Sequence, residues 1–224
     1  MMNKSSPASE PRVLLLDLDG TVLDTHELIY DCFRHTLHTH LGCEPSRPHW
    51  EAGVGLPLDE MFVQALRALG REEHSVPALV EAYRARMAGM SGGALPFPGI
   101  PEALESLTAR GIRLAIVTTK HARLALPHLE GSGLARLFSA VVTGDQCRHC
   151  KPHPEPFLRG LQALGALPGE AAGVGDSRYD IESARAAGVL TVAACWVTTH
   201  REALLAAGPD RVLHAPQELT GLVE

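Results

Sequence analysis

Five short apolar runs, separated by helical patterns, constrain the fold of this 224-residue chain more than any other feature. The first is Arg12-Val13-Leu14-Leu15-Leu16. The others are RLAIVT at 113–118, AVVT at 140–143, AGVG at 172–175 and VLTVAACW at 189–196. Runs that are apolar at nearly every position predict strands buried on both faces, as in a parallel sheet covered by helices. Between the first two runs, PGIPEALESLTARG places Pro101 near the start and Gly111 just past the end of a helix. Strand and helix in alternation predict an α/β fold: a doubly wound, Rossmann-like parallel sheet.

Residues 24–95 interrupt this rhythm. Ile29, Phe33, Leu37 and Leu41 fall four apart and end at Gly42; Leu58, Phe62, Ala65, Leu66 and Leu69 form a second stripe ending at Gly70. A third helix begins near Ser75 and carries Leu79, Val80, Tyr83 and Met87. No strand is expected here. The pattern predicts a small α-helical domain inserted at 24–95, with the α/β core made from 11–23 and 96–224. The segment SGGALPFPG, 91–99, reads as a hinge back to the sheet, and residues 1–10 as a loose polar tail.

Composition narrows the function. Apolar residues make up 45% of the chain, enough for a sizeable core. A net charge of −6 and the lack of a basic run argue against nucleic acid as a partner. No apolar run approaches a membrane span, and the first ten residues lack the apolar region of a signal peptide. Five scattered cysteines fit a reduced, cytoplasmic setting, for a monomer or dimer.

The chemistry lies where the strands end. Ligands of open α/β sheets bind beyond the carboxyl ends of the strands. The first run stops at Asp17, followed by Asp19, Gly20 and Thr21; the second ends in Thr118 and Thr119; Lys151 follows the third; Asp176 and Asp180 follow the fourth. Acids gathered at one rim repel unless a cation joins them, and oxygen-only ligands suit magnesium. A carboxylate can attack phosphorus, and Lys151 with the metal can neutralise the phosphate that it attacks. A threonine hydroxyl and backbone N–H groups around Gly20 can hold phosphoryl oxygens. Asp19 stands where a second acid could protonate a leaving group and then activate water. The chain has only three lysines (Lys4, Lys120 and Lys151), which makes a chance placement of Lys151 less credible.

This set resembles the haloacid dehalogenase-like superfamily in its phosphatase branch. Asp17-Leu18-Asp19-Gly20-Thr21, Thr118 after Ala115-Ile116-Val117, Lys151 in KPHPEPF, and Asp176 with Asp180 in GVGDSRYDIESARAAG match four motifs in order. The resemblance implies Asp17 as nucleophile and Asp19 as acid/base. It implies magnesium on Asp17, the carbonyl of Asp19 and Asp176, with Asp180 supporting from outside, and a phosphoryl group held by Thr118 and Lys151. VLDTHELIYDCFRHTL is similar to the bacterial pyrophosphatases and phosphoglycolate phosphatases, so the expected partner is a small phosphorylated metabolite. Sugar-phosphate phosphatases and phosphomutases are the alternative. The mutases, however, usually carry valine and a cap histidine where Thr21 and Ile29 stand here. Residues 24–95 contain no lysine, against the Schiff-base phosphonatases. A catalytically silent phosphate-binding protein would often lack Asp17 or Asp19.

Three further features are marked. His26, where the insert leaves the catalytic loop, is a candidate substrate contact, as is the loop Gly53–Pro57. Arg34 and Arg47 are candidate cationic contacts from the insert. Cys147-Arg148-His149-Cys150 has half the spacing of a zinc site and no second pair, and reads as an ordinary loop.

Overall fold

The computed structural model describes residues 11–197 and 200–223, so the N-terminal tail expected at 1–10 lies outside the described residues. Six parallel strands form the main sheet: β1 (Val13–Leu16), β4 (Arg113–Val117), β5 (Ala140–Val142), β6 (Ala171–Gly175), β7 (Leu190–Ala194) and β8 (Arg211–Leu213). Their order is β5-β4-β1-β6-β7-β8. The five apolar runs are five of these strands. β8 is the exception: three residues at an edge, opened by the exposed Arg211, with too little apolar character to stand out.

The reason for a covered parallel sheet is visible in β1. All four of its residues are fully buried. Leu14 and Leu16 pack with Leu104, Leu107 and Leu129 on one face, and Val13 and Leu15 pack with Phe157 and Leu161 on the other. Alternate side chains point to opposite faces, so a strand with helices on both sides must be apolar throughout. The covering helices are α5 (Ile100–Ala109), α6 (Ala122–Gly131), α7 (Glu155–Leu164), α8 (Arg178–Ala186) and α9 (Arg201–Ala206).

The chain leaves β1 for β4 on one side and later returns to β6 on the other. The strand order therefore reverses between β1 and β6, and such a switch point opens a crevice at the carboxyl ends. Asp17 follows β1 and Asp176 follows β6, so both stand at its mouth.

Four helices follow β1: α1 (His26–Leu41), α2 (Arg47–Glu51), α3 (Leu58–Ala68) and α4 (Val76–Ala88). The short α2, capped by the Ser46 hydroxyl, was not expected. Phe33, Leu37, Trp50, Phe62, Leu66, Leu79 and Tyr83 make a core of their own, with Phe33 and Phe62 stacked at 4.4 Å. α1 stops at Gly42, whose left-handed backbone (φ 63°) ends the helix without a Cβ clash. The absence of strands expected at 24–95 is corrected at its two ends. β2 (Leu23–Asp24) pairs antiparallel with β3 (Leu95–Pro96), tying the chain's exit from the sheet to its re-entry.

Packing beneath the crevice is tight. A Cβ on Gly173 in β6 would stand 2.7 Å from Phe157 and 2.8 Å from Ala184. Gly173→Val is therefore expected to lower stability by about 1–3 kcal/mol through overpacking. Gly169→Ala, where a Cβ meets open space, should change it little. Urea unfolding of the two variants checks this; equal stabilities would contradict it.

Candidate active site

Lys151 is the centre of the site. It is 2% exposed, and its ammonium donates to Asp17 Oδ1 at 2.7 Å, to Asp180 Oδ1 at 2.5 Å and to the Val117 carbonyl at 2.6 Å. An ammonium has three protons, and all three are used. Lys151 was expected to hold a phosphoryl group; here it holds Asp17, and its charge rather than a spare proton faces the cavity. Burial alone would lower its pKa, and the two carboxylates carry it well above the lysine range instead.

Asp180 does two things. Its Oδ1 accepts from Lys151, and its Oδ2 accepts from the Ser177 amide and hydroxyl. Ser177 caps α8 in return, so Asp180 closes a capping box and supports the lysine at once. Asp17, Asp176 and Asp180 each bring a carboxylate oxygen within 4.8 Å of the others. Burial, then Asp180 and Asp176, push the Asp17 carboxyl well above its ordinary range against the pull of Lys151.

Asp176 is steadied by two histidines. His26 Nε2 lies 3.1 Å and His200 Nε2 3.3 Å from Asp176 Oδ2. Burial would raise this carboxyl, but the histidines bring it far below the usual range. His26, a candidate substrate contact, lines the cavity, and its ring nitrogen lies against Asp176. Gly20 differs from expectation. Its amide donates to the Leu23 carbonyl at 2.8 Å and so is committed within the turn. Its role is space: at φ 82° a Cβ would collide with Asp176 and His26.

Thr118 and Thr119 both line the cavity. The Thr118 hydroxyl oxygen accepts from the Lys120 amide at 3.1 Å, which leaves its own proton to donate. Lys120 itself was missed. Its ammonium donates to Asp19 Oδ1 at 2.7 Å and to His128 Nδ1 at 3.1 Å, while Thr25 donates to Asp19 at 2.6 Å. Burial would raise the Asp19 carboxyl, but Lys120 and Thr25 bring it below the ordinary range. The signal for Lys120 was available: it is one of three lysines, two residues after Thr118. His128, Thr25 and His200 carried none.

A cavity of about 290 Å³ lies over these groups. Its floor includes Asp17, Asp19, Thr118, Lys120, Lys151 and Asp176; its roof comes from the helical insert, including Val54, Gly55, Leu56 and Pro57 of the loop Gly53–Pro57. Neither Arg34 nor Arg47 lines it. Arg34 pairs with Glu44, and Arg47 pairs with Glu27 and Glu51. Both are spent on the insert's own surface, and the insert's arginine that lines the cavity is Arg84. On the loop before α7, the group that could ligate a metal is His149, His153 and Glu155, and it does not include Cys147 or Cys150.

Fold and site together define a phosphatase-type hydrolase built at the switch point of a parallel sheet. Residues 14–194 match the family model for haloacid dehalogenase-like hydrolases. A pyrophosphatase PpaX of Bacillus cereus (strain AH820) is 35% identical over 207 residues, covering 92% of this chain and 93% of that protein. A solved structure described as a predicted phosphoglycolate phosphatase from Haemophilus somnus 129pt superposes with a TM-score of 0.86 at 23% identity, over 96% of this chain and 99% of that one. CbbY from Rhodobacter sphaeroides, in complex with xylulose-(1,5)bisphosphate, gives 0.82 at 23% identity, over 96% and 100%. The chain belongs to the haloacid dehalogenase-like hydrolase family, and it is an enzyme of the phosphatase kind.

The Lys120–His128 contact makes an acid-side prediction. An ammonium only donates, so His128 Nδ1 is a bare acceptor and the ring is neutral. Burial first, then Lys120, lower its pKa to about 4. The unfolded chain takes up this proton near pH 6.5, before the native state does. The resulting stability is complete above that pH and is lost as pH falls towards 4. The shift corresponds to about 3 kcal/mol unscreened, and on the order of 2 kcal/mol after solvent screening. His128→Gln should flatten the stability profile between pH 6.5 and 4 in urea titrations; an unchanged slope would contradict the assignment.

Proposed function

We propose that the chain is a magnesium-dependent phosphatase that hydrolyses a small phosphate ester or anhydride through an aspartyl-phosphate intermediate. The observation that carries this reading is the buried set of Asp17, Lys151, Asp176 and Asp180 beneath one cavity. The donor set fits magnesium. It is oxygen-rich and acidic: Asp17, Asp176 and Asp180 each bring a carboxylate oxygen within 4.8 Å of the others. Asp17, Asp176 and the Asp19 carbonyl are the groups that would hold the ion. Once bound, magnesium supplies charge neutralisation for a phosphoryl group.

The chain's own residues do the rest. Asp17 attacks phosphorus, the bond to the leaving oxygen breaks, and Lys151 balances charge on the Asp17 side of the reaction. The Thr118 hydroxyl donates to a phosphoryl oxygen, with Thr119 beside it on the cavity wall. Asp19 acts as acid to the leaving group and then as base to water. Its ionised form, held by Lys120 and Thr25, suits the second step. Helices α1–α4 act as a cap that excludes water from the reacting groups. The PpaX relatives support pyrophosphate as a substrate, and phosphoglycolate is the other favoured candidate. Five free cysteines support a reducing, cytoplasmic setting. No helix among the described residues is long and apolar enough to cross a membrane.

Phosphate release from pyrophosphate, phosphoglycolate and sugar phosphates tests the reading. Release should need magnesium, stop with EDTA and return when the ion is restored. Asp17→Asn should fall to background, because an amide is a poor nucleophile. Near-normal turnover by that variant would refute the mechanism.

A further inference from the structure

The cavity has two ends of opposite character. Its floor carries the carboxylates and lysines that suit a phosphoryl group, whereas Ile29, Val54, Leu56, Leu58, Met61 and Leu124 line the space above them with apolar surface. The first five belong to the helical insert and Leu124 to α6. Leu56, Met61 and Leu124 are themselves buried, so this wall is packed into the protein. Attacking and leaving oxygens lie roughly in line across phosphorus, so a leaving group expelled by Asp17 points away from it. What that group meets is the apolar wall.

A charged leaving group would need a cation there. Residues 24–95 contain no lysine, and among the described residues Arg84 is their one arginine that lines the cavity. Its Nη1 donates to Glu81 at 3.1 Å, and its Nε is enclosed by protein. From the core, Lys151 has all three protons committed, and Lys120 donates to Asp19 and His128. Negative groups are more plentiful. Asp19, Asp59 and Asp145 line the same space, and Asp59 stands with Glu60 in the first turn of α3, where the two acids offset the positive end of that helix. A carboxylate or a second phosphoryl lodged against this wall would be dry, unpaired and beside like charges.

We infer that the substrate is the phosphate monoester of a compact apolar alcohol, whose hydrocarbon body fills the roof of the cavity. This deepens the phosphatase reading and rests on it: the floor supplies the reaction, and the roof selects the ester over the anhydride. Each methylene moved from water onto such a wall strengthens binding roughly fourfold. The hydroxyls of a sugar would lose water there and find no partner on the apolar side chains. Ile29, Leu56 and Leu58 are therefore specificity-determining residues, while bond-making stays with Asp17.

The test is steady-state kinetics on the full chain with magnesium, using ethyl, butyl and 3-carboxypropyl phosphate beside phosphoglycolate, pyrophosphate and glucose 6-phosphate. The first three leave through the same primary alkoxide oxygen, so differences among them report the wall and not bond cleavage. Butyl phosphate should exceed ethyl phosphate about tenfold or more in kcat/KM. It should exceed 3-carboxypropyl phosphate, which has a carboxylate in place of the terminal methyl, by about as much again, and stand above the other three. Ile29→Thr and Leu58→Gln, both at half-buried positions, should each lower the butyl-to-ethyl ratio about threefold. That ratio, taken on one sample, does not depend on how much of a variant is folded. A butyl ester no better than ethyl, or any anionic or sugar substrate preferred to it, overturns the inference and leaves the phosphatase reading standing. Variants whose ratio is unchanged do the same. No turnover of any of the panel overturns both.

Discussion

One buried ammonium organises this protein's functional end. Lys151 carries a full charge at a nearly inaccessible position, and burying such a charge is costly unless it is paired and fully hydrogen-bonded. The structure meets that cost at three points: Asp17 after β1, the Val117 carbonyl at the end of β4, and Asp180 in the first turn of α8. Those three partners belong to three separate stretches of the chain. The lysine therefore records whether β1, β4 and the β6–α8 turn are in register with one another. Removing its charge would leave two carboxylates facing each other in a dry site, the arrangement that makes breaking a buried pair cost about 3–5 kcal/mol.

The ammonium does not balance the site completely. Asp17, Asp176 and Asp180 stand against one lysine, and the shifts divide accordingly. Asp17 is driven upward, whereas Asp176 is held ionised by His26 and His200. Asp19 belongs to a second, adjacent network whose cation is Lys120. Two carboxyls two residues apart thus end up with opposite tendencies because each faces a different environment. Pairs of acids pushed apart in this way are suited to different tasks in one reaction.

The fold was legible in the sequence where local physics decides it. A strand covered on both faces must be apolar throughout, and β1, β4 and β6 are nearly so, which is why their ends, and the acids on them, could be found. β8 was missed because an edge strand of three residues needs little apolar character. The β2–β3 pair was missed because its register depends on where a seventy-residue excursion begins and ends, and two-residue strands leave no pattern. Most of the floor was legible for a related reason: Asp17, Asp19, Thr118 and Asp176 directly follow strand ends, whereas Lys120 was overlooked. His128, His200 and Trp50 were not legible, because each reaches the site from a helix or loop whose placement depends on tertiary packing. The expectation for Arg34 and Arg47 failed through the same gap. Sequence shows that an arginine exists, but not that Glu44, Glu27 and Glu51 have already claimed it.

This difference explains why the reaction is easier to read than the substrate. Phosphoryl chemistry makes the same demands whatever the leaving group: a nucleophile, neutralising charge, and donors to the phosphoryl oxygens. Those demands fall on the rigid sheet, where short-range sequence rules apply. The roof of the cavity comes instead from helices that pack through their own core, centred on Phe33, Phe62 and Tyr83, and that core would tolerate many roofs. Which arginine reaches such a roof depends on which side chains neutralise each other elsewhere: Arg34 and Arg47 are paired on the insert's surface, and Arg84 lines the cavity. The roof of the cavity is therefore read from tertiary pairing rather than from a motif.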